Sequence, residues 1–194
     1  MEKEIILPGI YSEEVWKRGG SKIEHKKYIG LHYISWSSCE SFNDSAGFNT
    51  GLLGKYEYIL SKMSGVTFPE FGWGFFGTEV ENYITERTDE DKFKPHELET
   101  LNKIKPLGVF QDEICLYLPN LDIIVLGYID DRTKEDENGN VALLRDYKTK
   151  SESSKKDLHS DKKHQIELYI LGLQQRGLKV LEAEYCVIER GGGY

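Results

Sequence analysis

The stretch "LLRDYKTK", residues 143–150, runs two apolar residues into Asp146, an aromatic and Lys148. As a β-strand it sets acid and amine on one face, because side chains at i and i+2 share a side of a sheet. Just upstream, "DRTKEDENGN" (131–140) contains Asn138-Gly139, a strong hairpin signal. Before that lies a second strand-like run, "LDIIVLGYID" (121–130), and before that a third, "GVFQDEICLYL" (108–118).

Helical patterns flank these strands. In "GWGFFGTEVENYITER" (72–87), Phe76, Val80, Tyr83 and Ile84 share one helical face. Glu79 and Glu81 flank that face on opposite sides, and helical geometry alone leaves open which acid looks inward. "KPHELETLNKIKP" (94–106) reads as a short helix. "SDKKHQIELYILGLQQRG" (160–177) has a Ser cap, a Gly stop and an apolar stripe of Ile166, Tyr169, Ile170 and Leu173. "LKVLEAEYCVIE" (178–189) is expected to be a closing strand of alternating character. Toward the start, "YSEEVWKRG" (11–19) carries good helix punctuation, and "SWSSCESFND" (35–44) and "GLLGKYEYILSKMSG" (51–65) read as further helices. The expected fold is α/β (α+β): one domain over 1–194, with a helical portion over 1–71 and a mixed sheet flanked by helices over 72–190. At 194 residues the chain can bury a proper core.

Composition narrows the class. No apolar run approaches the length of a membrane span, and "MEKEIILPGI" is too short in apolar residues for a secretory signal. Cys39, Cys115 and Cys186 are scattered and odd in number, which argues against a disulfide scaffold or zinc knuckle and for a reducing interior. A cytoplasmic setting follows as the expectation. The net charge of −8 speaks against nucleic acid, but its distribution does not. Residues 16–32 set Lys17, Arg18, Lys22, Lys26 and Lys27 against Glu24 alone. Residues 145–165 set Arg145, Lys148, Lys150, Lys155, Lys156, Lys162 and Lys163 against four acids. Two basic zones on an acidic body fit a DNA groove or plain solvated loops.

The hairpin brings acids together. If Asn138-Gly139 form its loop, Asp130 lies opposite Tyr147 and Asp131 opposite Asp146. A one-residue bulge would instead put Asp130 across from Asp146. Either way, two carboxylates meet near the ends of apolar strands, which is destabilising unless something neutralises them. Hard oxygen donors without thiolates point to Mg²⁺ or Mn²⁺. Lys148 can then orient or deprotonate a water and steady charge on a phosphate. A helix-borne Glu, two strand acids and a lysine suffice for phosphodiester hydrolysis.

"GTEVE" (77–81), "LGYID" (126–130), "RDYKT" (145–149) and "QIELY" (165–169), in this order, resemble the PD-(D/E)XK nuclease superfamily. The likeness is to its RecB-like, phage-exonuclease-type branch, with signatures G-x-x-x-H/E, G-x-hydrophobic-D, D-Y-K-T and Q-x-x-x-Y. It covers about residues 72–190, and "YISWSSCESF" is similar to the serine-rich helix start of such proteins. The resemblance implies a restriction-endonuclease-like core and a Mg²⁺-dependent DNA nuclease, an exonuclease of recombination, repair or phage DNA processing. It assigns metal ligation to Glu81, four after Gly77, and to Asp130, Asp146 and the Tyr147 carbonyl. Lys148 becomes the catalytic lysine, and Gln165 and Tyr169 a pair beside the active site and DNA backbone. Asp131 is then the solvated neighbour of Asp130. Lys150, Lys155, Lys156, Lys162 and Lys163 are expected to contact DNA. Three scattered cysteines do not supply the four-cysteine iron–sulfur cluster of some relatives, and no P-loop is present, so unwinding would need a helicase or recombination partner.

Other patterns fall away. Residues 134–145 mimic a calcium loop through Asp136, Asn138 and Gly139, but Lys134 and Arg145 stand where calcium needs acids. The histidines His25, His32, His96, His159 and His164 lack metal-motif spacing and default to surface or core roles. "WGFFG" reads as core packing rather than a base-stacking platform. The rivals to the exonuclease are a structure-selective, junction-resolvase-like endonuclease and a nuclease-fold protein that binds without cutting.

Overall fold

The computed structural model describes residues 9–35, 72–151 and 158–190, the side chains at 72–76, 150–151, 158–163 and 190 excepted. The expected helices over 35–44 and 51–65 lie outside the described residues. In chain order come α1 (Glu13–Arg18), a 3-10 helix (Ile23–Tyr28), β1 (His32–Ser35), α2 (Gly72–Glu86), a second 3-10 helix (Glu90–Lys92) and α3 (Pro95–Leu101). Then follow β2 (Gly108–Leu118), β3 (Ile123–Thr133), β4 (Asn140–Ser151), α4 (Leu158–Gln175) and β5 (Lys179–Arg190). The chain is α/β, with a mixed five-stranded sheet ordered β1-β3-β4-β5 and β2 also paired to β3. β1 runs parallel to β3, β3 antiparallel to β4, and β4 parallel to β5. β1 was not anticipated. Its four residues are too few to show a period, and its pairing of Ile34 with Val125 is what makes it a strand.

The hairpin register is the displaced one. Asp131 pairs with Arg145 and Arg132 with Leu144; that register, continued by one step, sets Asp130 across from Asp146. A two-residue loop does not form, because Asp136 organises a wider one. Its carboxylate accepts the N–H groups of Asn138 (2.9 Å) and Asn140 (2.8 Å) and the Asn140 side-chain amide (2.9 Å). Gly139 supplies the positive φ of 75° that closes the turn. Asp136, the acid of the false calcium loop, is thus a turn brace.

The described residues fall into two compact units that interleave along the chain. One draws on Met1–Phe68, Glu113–Tyr128 and Leu158–Arg176, the other on Pro69–Asp112, Ile129–Asp157 and Gly177–Tyr194. In the first, Ser12 caps α1 by accepting the Val15 N–H at 3.3 Å, and Val15 and Trp16 pack against a core of Tyr11, Tyr28, Cys115, Ile124 and Leu126. The buried face of α4 centres on Leu168, Tyr169 and Leu173. Ile166 and Ile170 of the expected stripe are only half-buried, so the face is rotated toward Leu168. Gly172 lies against Ile114, whose Cγ2 stands 1.8 Å from where a Cβ would project. In the second unit, Val80, Tyr83 and Ile84 of α2 meet Phe93, Leu101, Tyr147 and Ile188. Each such side chain, once buried, contributes roughly 1.5–3 kcal/mol. The alternation expected of β5 is absent: residues 181–184 are all exposed and Ile188 is its buried anchor. β5 pairs with β4 through its whole length, so backbone pairing holds it where side-chain burial does not. No helix among the described residues is long and apolar enough to cross a membrane.

Candidate active site

Three elements of the second unit converge. α2 carries Glu81, β3 carries Asp130, and β4 carries Asp146 and Lys148. α2 can approach β4 closely because position 77 has no side chain; a Cβ there would stand 3.3 Å from Thr149 Oγ1. Val80, Tyr83 and Ile84 then seat the helix on Tyr147, and Glu81 is carried alongside. On β4 the i, i+2 rule holds. Lys148 Nζ forms an ion pair with Asp146, whose side chain is fully buried while that of Lys148 is 18% exposed. Tyr147, between them, turns to the other side and enters the apolar core. Its backbone still serves the site, since its N–H donates to Asp130 Oδ2 at 2.8 Å and its carbonyl lies 3.5 Å from Lys148 Nζ.

The electrostatics are those of crowded like charge. Burial, then the charges of Asp146 and Glu81, push the Asp130 carboxyl up to about 8, against the pull of Lys148 and the Tyr147 N–H. Burial likewise raises Glu81, with Asp146 adding to the rise and Gln111 and Lys148 opposing it. Of the two acids flanking the α2 apolar face, Glu81 is therefore the one that feels Asp146. Hard carboxylate oxygens under mutual repulsion suit a divalent cation, which would favour their charged forms. Among the described residues, however, Glu81, Asp130 and Asp146 do not draw their ligand atoms all within 4.8 Å of one another.

Asp131 corrects its expected role. It is fully buried rather than solvated, and accepts the N–H groups of Leu107 (2.8 Å) and Gly108 (3.2 Å) and the Tyr147 hydroxyl (2.8 Å). Adjacent acids on one strand thus do opposite work: Asp130 faces the charged cluster and Asp131 staples the start of β2. Sequence reading also missed Gln111, whose amide donates to Glu81 Oε1. Nothing in "GVFQDEICLYL" marks it, because the signal is a backbone conformation and not a spacing.

Gln165 and Tyr169 belong to the other unit, where Gln165 Nε2 donates to the Tyr169 hydroxyl at 2.6 Å. Tyr169 is buried against Gly127, where a Cβ would meet its ring at 3.1 Å. Two motif glycines therefore have packing partners in other motifs, Gly77 with Thr149 and Gly127 with Tyr169. Lys155 and Lys156 lie outside the described residues, as do the side chains of Lys150, Lys162 and Lys163.

The first unit also holds a buried polar group that no motif announced. Glu113 accepts from Tyr11 (2.7 Å), from Tyr128 (3.2 Å) and, on the same oxygen as Tyr11, from His25 Nδ1 (3.1 Å). Cys115 lies 4.0 Å from that oxygen, and the ligand atoms of His25, Glu113 and Cys115 lie within 4.8 Å of one another. Burial pushes the Cys115 thiol up to about 12, so it is protonated at neutral pH. Donors on both of its oxygens already satisfy Glu113. No protein-family model, curated protein or solved structure matches this chain.

Proposed function

We propose that the chain is a Mg²⁺- or Mn²⁺-dependent deoxyribonuclease of the PD-(D/E)XK superfamily, with a restriction-endonuclease-like core of the RecB-like, phage-exonuclease type, and that it degrades DNA from an end. The observation that carries this reading is the Asp146–Lys148 ion pair on β4, with Asp130 and Glu81 bearing like charge upon it. Packing like charges round a buried acid opposes folding, because desolvation and repulsion both act against it. Such arrangements collect at functional sites, where perturbed carboxyls have a task.

Glu81, Asp130, Asp146 and the Tyr147 carbonyl would hold the ion, which when bound polarises a phosphoryl oxygen and acidifies a water. The protein's own groups do the rest. Asp146 keeps the Lys148 amine at the site, where it stabilises negative charge on the phosphate and orients the attacking water. The Tyr147 N–H fixes the orientation of Asp130. Gln165, Tyr169 and the lysines at 150, 155, 156, 162 and 163 are assigned to the DNA backbone, and a helicase or recombination protein is the expected partner.

Incubation with end-labelled linear, closed circular and branched DNA plus Mg²⁺ tests the proposal. Linear DNA should be degraded and closed circles spared. Cutting of circles would make the protein an endonuclease, and binding without cutting any substrate would leave only a DNA-binding protein.

A further inference from the structure

Five described non-glycine residues have a left-handed backbone: Ser21, Arg87, Asp89, Gln111 and Asp122. Four of them lie in turns or beside helix ends, where the chain changes direction. Gln111, at φ 46°, lies inside β2. Glutamine enters this region reluctantly, because its Cβ crowds the backbone carbonyl. A strained residue of this kind persists only where its surroundings over-determine it, and such residues collect at active sites and ligand clamps.

β2 is pinned on both sides of Gln111. Ahead of it, Leu107 and Gly108 donate to the Asp131 carboxylate. Behind it, Asp112 is buried and paired with Arg132 Nε at 2.5 Å. Between these anchors, the single exposed side chain of Gln111 delivers its amide to Oε1 of Glu81. Water would satisfy this exposed amide without the bond, so the fold has little need of it. Its use lies in what it does to the carboxylate.

We propose that Gln111 is a positioning residue for the acidic site: the left-handed turn of β2 aims its amide at one oxygen of Glu81, so that the other is presented to a bound divalent cation. The inference rests on the reading of Glu81 as a metal ligand. A neutral donor is the suitable chemistry here. A fourth carboxylate would add repulsion, and a lysine or arginine would compete with the ion for Glu81.

Two substitutions separate positioning from structure. Gln111→Gly removes the amide and suits a left-handed backbone; Gln111→Asn tolerates that backbone but falls one methylene short. Gln111→Gly should melt at or above the wild-type temperature. Its Mg²⁺ concentration for half-maximal DNA cutting should rise about tenfold, the loss typical of removing an outer partner of a metal ligand. Its Mn²⁺ affinity by calorimetry should fall in parallel, while the rate at saturating Mg²⁺ stays near wild type. Gln111→Asn should lie between the two. Unchanged Mn²⁺ affinity and Mg²⁺ requirement in a stable Gln111→Gly would overturn the positioning role alone, as would a lowered melting temperature with activity reduced at all Mg²⁺ concentrations. Wild-type protein that neither binds Mn²⁺ nor cuts DNA would remove the metal site itself, and the positioning role with it.

Discussion

At the scale of single residues, neighbours in sequence do unlike work. Asp130 and Asp131 share a strand, yet one joins a charged cluster and the other ties down the start of β2. Asp146, Tyr147 and Lys148 divide the same way, with the ring in the core and the two charges opposite it. This alternation makes a sharp expectation possible for Lys148→Ala. The substitution removes the amine and leaves the apolar face of β4 intact, so the far-UV circular dichroism spectrum should be unchanged while cleavage of end-labelled DNA is lost. Retained cleavage would take Lys148 out of the mechanism. Glu113 gives a second expectation, about pH. Burial alone would raise its carboxyl, but hydrogen bonds from His25, Tyr11 and Tyr128 outweigh burial and hold it below the ordinary 4.5. A depressed carboxyl stabilises the fold above its unfolded value and loses that contribution as pH falls. Thermal stability should therefore drop as pH falls from about 4.5 toward the depressed value, and Glu113→Gln should flatten that drop. At neutral pH the same variant should be less stable by about 1–3 kcal/mol, since donors aimed at a carboxylate would face an amide.

At the scale of elements, propensity and packing can be set against each other at Gly172. Alanine is the better helix former by about 1 kcal/mol in an exposed helix interior. In α4, though, its Cβ would project to within 1.8 Å of Ile114 Cγ2, so helix and strand would have to part. Gly172→Ala should destabilise by about 1–3 kcal/mol in chemical denaturation, the usual penalty of overpacking. A stabilised variant would mean that this approach is looser than described. The same element shows what the sequence could and could not reveal. Apolar runs, the Ser12 cap of α1 and Gly stops located α1, α2, α3, α4 and the strands β2 to β4 closely, because those signals are local. The expected Ser cap of α4 is corrected, since the helix begins at Leu158 and Ser160 lies inside it. The four residues of β1 carry no period, and the uneven burial of β5 depends on which neighbours cover it. The hairpin register turned on Asp136, a side chain whose hydrogen bonds override the Asn138-Gly139 turn preference. Around the candidate site, the i, i+2 pair Asp146 and Lys148 was legible in the strand pattern, whereas Glu81 over Glu79 and Asp130 over Asp131 were named only through the family resemblance. Gln111 was named by neither route, because a strained φ leaves no trace in composition.

At the scale of the whole molecule, the proposed function asks an acidic protein to hold a polyanion. With a net charge of −8, any DNA affinity has to come from local basic zones and from cations held by the acids. The zone over 145–165 provides Lys155, Lys156, Lys162 and Lys163 beyond the lysine already committed to Asp146. If these track phosphates, each contact releases a counterion, and the logarithm of the binding constant falls linearly with the logarithm of salt by about 0.9 per duplex phosphate neutralised. Binding measured by fluorescence anisotropy, with Ca²⁺ replacing Mg²⁺ to suppress cutting, should weaken steeply between low and physiological salt. Replacing the four lysines by alanine should make the slope shallower by up to about 0.9 for each one that touches a phosphate, and should weaken all duplex sequences alike. Lys148→Ala in the same assay should keep most of the affinity, because its amine pairs with Asp146 and is not free to track the DNA backbone. A slope unaltered by the fourfold replacement would mean that the zone is solvated surface and that DNA is held elsewhere on the chain.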